Sequence, residues 1–536
     1  MIKAVRGTRD LLPPETALWN FVETQAREVF RAYNFQEIRT PIFEATELFA
    51  RGVGEETDIV SKEMYTFRTG DDPRWVLATK WLVTRPKYKK IEQLRRPGFG
   101  QVFAGLREDD VWEIVIVEIG AGGPKLAALK KMQAERQSLA SAAGERPSRY
   151  VLVVPSSEAQ RVSGLINQDG IEVQGLEMPE GYDPPESLTL RPENTAGVVR
   201  AYIEHKLWDR GLNKLYYIGP QFRRERPQKG RYRQFYQIGA EVIGPSSSGS
   251  EHPIRDAELL EMLDTLLRRL GIADFTLYIN SVGDAQDRAA YNDALRKALQ
   301  PVVGQMCADC QRRAVTNPLR VFDCKVPEDQ PVIATLPVIS SYLGEASREH
   351  FQNVQVLLKE AGVAFEVNPR LVRGLDYYTR TAFEFTHGAL GAQNAILGGG
   401  RYDGLAELLG SPQPAPGIGF AIGEDRLVMA LQARASEATA GLDVYVAPVG
   451  EGMNRKALRL AGDLRREGLT VELGDRSFRL KKMFEAATKA GAKYILIVGE
   501  NEIKADSFSL KNLATGEQVS VPRAELAQRI REQHSR

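Results

Sequence analysis

Cysteine and histidine are both scarce in this chain, with three and five copies among 536 residues. Three thiols cannot build a disulfide framework, and they point to a reducing compartment. The five histidines are scattered, so neither a metal triad nor a Ser-His-Asp arrangement can be drawn from them. No run approaches the roughly 20 apolar residues of a membrane span. The opening MIKAVRGTRDLLPPE has no apolar stretch of signal-peptide length. The expectation is a soluble, cytoplasmic protein with no membrane partner. Net charge is also lacking: 71 Lys and Arg stand against 70 Asp and Glu, leaving +1. Any nucleic-acid binding must therefore rest on local basic surface. What the chain does have is length and 43% hydrophobic residues, enough for the cores of two to four domains.

Charge is concentrated in one place. In Leu215–Gly244, LYYIGPQFRRERPQKGRYRQFYQIGAEVIG, five arginines and one lysine fall between Arg223 and Arg233 against the single acid Glu225. The flanking segments are strand-like and can pair as an antiparallel hairpin, with a long turn broken by Pro227 and Gly230. Guanidinium groups match phosphate oxygens two hydrogen bonds at a time, so the loop suits a polyphosphate. A merely solvated basic hairpin is the plain alternative. Strand alternation puts Arg233, Phe235, Gln237, Gly239 and Glu241 on one face, where Gly239 leaves room for a ligand. Glu193 and Thr195, at the end of a strand, are acceptors suited to an ammonium group.

Periodicity gives the organisation. Ala17–Tyr33 predicts an amphipathic helix, FQEIRTPIFE a short strand, and LTLR a strand feeding a helix at Thr195. Between the turn-rich RTGDDP and EGYDPPES, residues 71–186 predict an inserted α/β domain, with a helix from Pro124 to about Ala143. Helical patterns occupy about 282–362, and strands return from about Val363 to His387. An independent α/β domain spans 441–536. Residues 1–70 and 187–432 then form one domain interrupted by the insert.

Glu193–Thr195 in LRPENTAG, the basic hairpin, RGLDYYTRTAFEF, GGGRYDGL and GIGFAIGEDRL occur in an order that resembles the histidyl-tRNA synthetases of class II. The resemblance covers roughly 1–70 and 186–536 and leaves the insert outside. It implies an α+β catalytic domain, with an antiparallel sheet flanked by helices, beside an anticodon-binding-like C-terminal α/β domain. It also implies ATP-dependent ligation of L-histidine to tRNA(His) through a histidyl-adenylate, with Mg²⁺, in a homodimer whose interface includes TPIFE. On this resemblance Arg223 and Arg373 are catalytic. Arg223, Glu225, Arg231, Phe235 and Arg426 bind ATP. Glu193, Thr195, Gln237, Glu241, Tyr377, Tyr378 and Tyr402 bind histidine, with Glu241 and Tyr378 at the imidazole. Gly398–Gly400 would let backbone approach the amino acid.

Two positions depart from the family: Asn194, where glycine and a positive φ are expected, and Asp425, where glutamate is usual. Alternatives of the same fold are a non-catalytic, histidine-sensing regulatory protein and an enzyme using another acceptor. Arg476, Arg479, Lys481 and Lys482 offer a basic patch for tRNA in the C-terminal domain, and Lys80–Arg96 offers another in the insert. Cys307 and Cys310 have half-zinc-site spacing, with Cys324 a possible third ligand and His350 a distant fourth. On that count no metal site is assigned, and the three read as ordinary reduced cysteines.

Overall fold

The computed structural model describes residues 2–54, 57–68, 88–94, 101–117, 148–166, 171–177, 187–228, 230–388, 394–432, 442–475, 477 and 479–532. They fall into two compact units, Met1–Asp10 with Glu23–Ala433, and Leu11–Val22 with Arg434–Arg536.

The first unit is built on an eight-stranded sheet. Its strands run in the order Gln36–Glu37, Asn213–Phe222, Gln234–Ile243, Gly417–Gly423, Ala395–Arg401, Thr379–His387, Phe275–Ser281 and Glu366–Val367. The six inner strands are antiparallel throughout, and only the two-residue edges pair in parallel. The expected hairpin supplies the second and third strands from one edge, with Leu215 opposite Glu241, Gly219 opposite Gln237 and Phe222 opposite Gln234. Alternation sends Ile238, Ala240 and Val242 into the core. Phe30, on the helix Glu15–Ala32, stacks on Tyr216 at 4.7 Å between ring centroids. The helices Pro253–Arg269 and Glu345–Glu360 pack together beside the sheet. Between them Asp256 accepts from Arg401 at 2.7 Å, Thr381 at 2.6 Å and His350 at 2.9 Å, all buried. Arg401 is thus a core ion pair.

FQEIRTPIFE does not form one strand. Gln36–Glu37 pairs with the hairpin, while Phe43–Ala45 joins a separate three-stranded sheet with Ser187–Leu190 and Tyr65–Arg68. Pro41, which has no N–H to give a ladder, lies in the break. GVGEETDIV contributes the end of the helix Thr46–Val53 and the start of a π-helical turn at Ile59–Glu63. Asn368–Tyr378, inside the expected strand region, is irregular backbone between Glu366–Val367 and Thr379–His387.

The insert carries a five-stranded sheet, Tyr88–Leu94, Gln101–Arg107, Trp112–Val117, Ser148–Pro155 and Ile171–Leu176. The first three strands are antiparallel and the last two parallel. Tyr88–Leu94 takes up part of the basic run expected as tRNA surface, and Lys89 there pairs with Asp110 at 2.7 Å. The other half of that run and the helix expected at 124–143 lie outside the described residues.

The second unit has a sheet ordered Val471–Leu473, Val444–Pro448, Tyr494–Val498, Ser507–Asn512 and Gln518–Pro522. Its last two strands form a hairpin that the periodicity did not single out. Arg479, Lys481 and Lys482 stand at the start of the helix Leu480–Lys489, while Arg476 lies outside the described residues.

Candidate active site

The hairpin loop arranges its own charges. Arg223 continues the ladder by donating its N–H to the Arg233 carbonyl at 2.9 Å, and its side chain donates to the Pro192 carbonyl at 2.8 Å. That bond aims the guanidinium over the Phe235 ring, 5.2 Å from its centroid. Glu225 pairs with Arg231 and stands 3.8 Å from Arg223, so it orients the two arginines. Arg224 and Arg226 point to solvent, whereas Arg233 folds back against Gly7 and donates to the Arg6 carbonyl. Opposite, Arg426 lies in the first turn of the helix Glu424–Gln432, held by the carbonyls of Ala395 at 3.2 Å and Gly230 at 3.4 Å. Burial, with Arg231 adding repulsion, lowers its pKa. The shorter acid Asp425 accepts from Arg9 at 2.9 Å and from the Tyr236 N–H at 3.4 Å, so it supports the loop from behind.

Arg223, Glu225, Arg231, Phe235 and Arg426 line a cavity of about 300 Å³ together with Glu193, Thr195, Gln237, Arg373, Tyr377 and Tyr378. Glu193 is buried at the start of the helix Thr195–Glu204 and accepts the N–H groups of Thr195 at 2.8 Å and Ala196 at 3.0 Å. Burial raises its pKa against those bonds and against Arg223. Asn194 caps this helix with φ −117°, so the position needs no left-handed backbone, and the Asn194 side chain accepts from the Thr40 hydroxyl at 2.6 Å. The Gln237 Oε1 is buried on the cavity wall with no protein donor among the described residues.

Glu241 and Tyr402 do not line the cavity. They lie beneath it, where Glu241 accepts from the hydroxyls of Thr195 at 2.7 Å and Tyr402 at 2.8 Å. Burial, aided by the nearby Glu193, raises the Glu241 carboxyl to about 8 despite those hydroxyls.

Arg373 pairs with Glu384 across the cavity wall. The glycines around it make room for side chains. A Cβ at Gly398 would lie 2.5 Å from the Arg373 guanidinium, and one at Gly400 would lie 2.8 Å from the Tyr378 ring. The room over Gly239, expected for a ligand, is filled by the Tyr217 ring, 2.4 Å from where a Cβ would stand. Gly419 likewise admits Glu241. Two contributors escaped the sequence reading: Glu384, hidden in a strand pattern, and Tyr217, on the hairpin's first strand.

A second cluster lies outside this cavity. Cys307, Cys310 and Cys324 come together with Asp329, a residue no spacing rule picked out. His350 is not among them; it is committed to Asp256.

The family model described as Histidyl-tRNA synthetase matches residues 182–427. The one described as Anticodon binding domain matches 443–533. The histidine--tRNA ligase of Koribacter versatilis (strain Ellin345) is 55% identical over 537 aligned residues, covering 100% of this chain and 97% of that one. The chain belongs to the histidyl-tRNA synthetase family. The histidine--tRNA ligase of Solibacter usitatus (strain Ellin6076) is 48% identical over 99% of both chains. Among solved structures, apo S. aureus histidyl-tRNA synthetase superposes with a TM-score of 0.64 at 30% identity, covering 99% of this chain and 100% of that one.

Proposed function

We propose that this chain activates L-histidine with ATP and transfers it to tRNA(His). The observation that carries this is one cavity that gathers four arginines, Arg223, Arg231, Arg373 and Arg426, opposite the acceptors Glu193, Thr195 and Gln237. The arginines suit a triphosphate and the acceptors suit an α-ammonium group. Histidine's carboxylate oxygen attacks the α-phosphorus of ATP, and the bond to pyrophosphate breaks. Arg223 steadies the α-phosphate, Phe235 and Arg426 sandwich the adenine, and Arg231 meets the terminal phosphates. Arg373 bridges carboxylate and α-phosphate, stabilising charge as it moves. A terminal ribose hydroxyl of tRNA then attacks the adenylate carbonyl and releases AMP. No side-chain nucleophile is needed; alignment supplies much of the rate.

Tyr377 and Tyr378 close the histidine side. Glu241 acts through Thr195 and Tyr402 and sets the polarity beneath the imidazole. Mg²⁺ asks for one or two carboxylates beside substrate phosphates, and Glu384 and Glu225 on the wall fit that demand. Bound there, it would offset charge on the departing pyrophosphate.

The C-terminal unit is assigned to tRNA, and the active form to a cytoplasmic homodimer. Among the described residues no helix is long and apolar enough to cross a membrane. Histidine-dependent ATP–pyrophosphate exchange, followed by charging of tRNA(His), tests the reading. Absence of exchange in folded protein overturns it.

A further inference from the structure

We infer that Cys307, Cys310, Cys324 and Asp329 form a tetrahedral site for one zinc ion. Their ligand atoms all lie within 4.8 Å of one another. Cys307 Sγ and Cys324 Sγ are 3.9 Å apart, and Cys324 Sγ is 3.2 Å from an Asp329 oxygen. A tetrahedral zinc with ordinary bond lengths needs sulfur–sulfur edges of about 3.8 Å and sulfur–oxygen edges of about 3.5 Å. The two measured edges therefore already have the size of the coordination polyhedron. Three sulfurs and one oxygen also favour zinc over harder cations such as Mg²⁺ or Ca²⁺.

The local fold explains how four ligands converge from one short stretch. Cys307 caps the helix Ala308–Thr316, and Cys310 sits in that helix's first turn. Cys324 follows the 3-10 turn Pro318–Asp323, and Asp329 ends the turn Pro327–Asp329. Cys310, Cys324 and Asp329 are buried, while Cys307 is partly open and leaves a way in for the ion. The ligands are held from behind as metal ligands require. The Cys307 N–H donates to both Asp329 oxygens at 3.1 and 3.2 Å, and the Val326 N–H donates to Cys324 Sγ at 3.4 Å. Segments this short have little stability of their own, which is where a metal cross-link contributes most.

The site has a line to the catalytic cavity. Arg320, in the turn just before Cys324, donates to the Gly374 carbonyl at 2.9 Å, and Gly374 follows Arg373. Zinc would thus brace the loop that presents Arg373.

The test is metal content of the full-length protein purified under a phosphine reductant, with cobalt(II) substitution as the geometric probe. We expect one equivalent of zinc per chain. In the apoprotein, cobalt should give intense thiolate charge-transfer absorption and a tetrahedral visible band. Cys324→Ser should lose the ion or weaken it strongly, and Asp329→Asn should keep the thiolate absorption while changing the visible band. Wild-type protein with only trace zinc and no thiolate–cobalt absorption overturns the inference. So does a cobalt spectrum unchanged in Cys324→Ser. None of these readouts uses catalytic turnover, so failure here is separable from failure of the proposed function.

Discussion

Arg373 and Gly398 are best considered as one device. The guanidinium occupies the space a Cβ at Gly398 would take. Arg373→Ala is expected to slow single-turnover adenylate formation by about 10²–10³, the usual loss for a charge-stabilising donor; a rate within threefold of the parent would remove Arg373 from the mechanism. Gly398→Ala should mimic that loss while the protein stays folded, because the group that must move is the flexible end of a side chain. Gly399→Ala makes the contrast. Its Cβ would meet the Gly419 carbonyl oxygen at 2.1 Å, backbone in the next strand. That variant should lose stability first, by a few kcal/mol as overpacking does. Denaturant midpoints beside exchange rates separate the two. Equal stability losses in both would refute the distinction.

Glu241 supports a pH prediction at the same scale. Its carboxyl is raised from 4.5 to about 8 by burial in the folded protein. Above the ordinary value the unfolded chain has released a proton that the folded chain still holds. Stability therefore falls as pH rises from about 4.5 to about 8 and takes no further slope from this group beyond. Glu241→Gln removes the titration. Relative to the variant, the parent should lose on the order of a few kcal/mol between pH 5 and pH 8.5, since each pH unit between the two values costs about 1.4 kcal/mol. Urea unfolding of the ligand-free proteins measures it. Glu424, raised to about 9 by burial, titrates in both proteins and cancels in the difference. Parallel pH profiles would mean that Glu241 is charged throughout. In exchange assays the same variant should raise the KM for histidine more than that for ATP.

At the scale of elements, the hairpin was legible because two features coincide in sequence: alternating apolar strands and a dense basic turn. Its register and the loop charges follow from that pattern. The room over Gly239 goes to a neighbour and not to a ligand, since sequence marks a place without a side chain but not which neighbour enters it. Tyr217 takes the room over Gly239, and Arg373 takes the room beside Gly398. Asn194 was misjudged for a related reason: a helix cap at φ −117° satisfies the position without a left-handed residue. Asp329 was invisible because a carboxylate five residues after Cys324 fits no metal-ligand spacing rule. The segment before the first helix was also silent in sequence, although Arg9 braces Asp425 and the Gly7 carbonyl accepts the Arg233 N–H at 2.7 Å. Arg9→Ala is expected to raise the KM for ATP severalfold, through loss of a partly buried charged hydrogen bond of about 1.5 kcal/mol or more. The KM for histidine should stay nearly constant; equal changes in both would place Arg9 in general stability.

At the scale of the whole molecule, the small sheet of Phe43–Ala45, Ser187–Leu190 and Tyr65–Arg68 presents apolar side chains to solvent. Ile42, Phe43 and Phe67 are 46%, 53% and 43% exposed, and the two phenylalanine rings meet edge-on at 6.3 Å. Apolar side chains clustered in this way mark a surface that binds something, and a second copy of the chain is the occupant we propose. The sheet is also wired to the active site. Arg191, next after the strand Ser187–Leu190, donates to the Thr40 carbonyl and to the Pro220 carbonyl on the hairpin, both at 2.9 Å. Dissociation would free one end of that link. Sedimentation equilibrium at micromolar protein should give the mass of a dimer. Phe43→Asp should shift it toward monomer, because a charge opposite its own symmetry mate in an apolar contact is costly to bury. Exchange by the variant should fall at dilutions that separate the subunits and recover as protein concentration rises. A parent protein that is monomeric while exchanging at full rate would sink the dimer, whereas a dimer unmoved by Phe43→Asp would transfer the interface to another face.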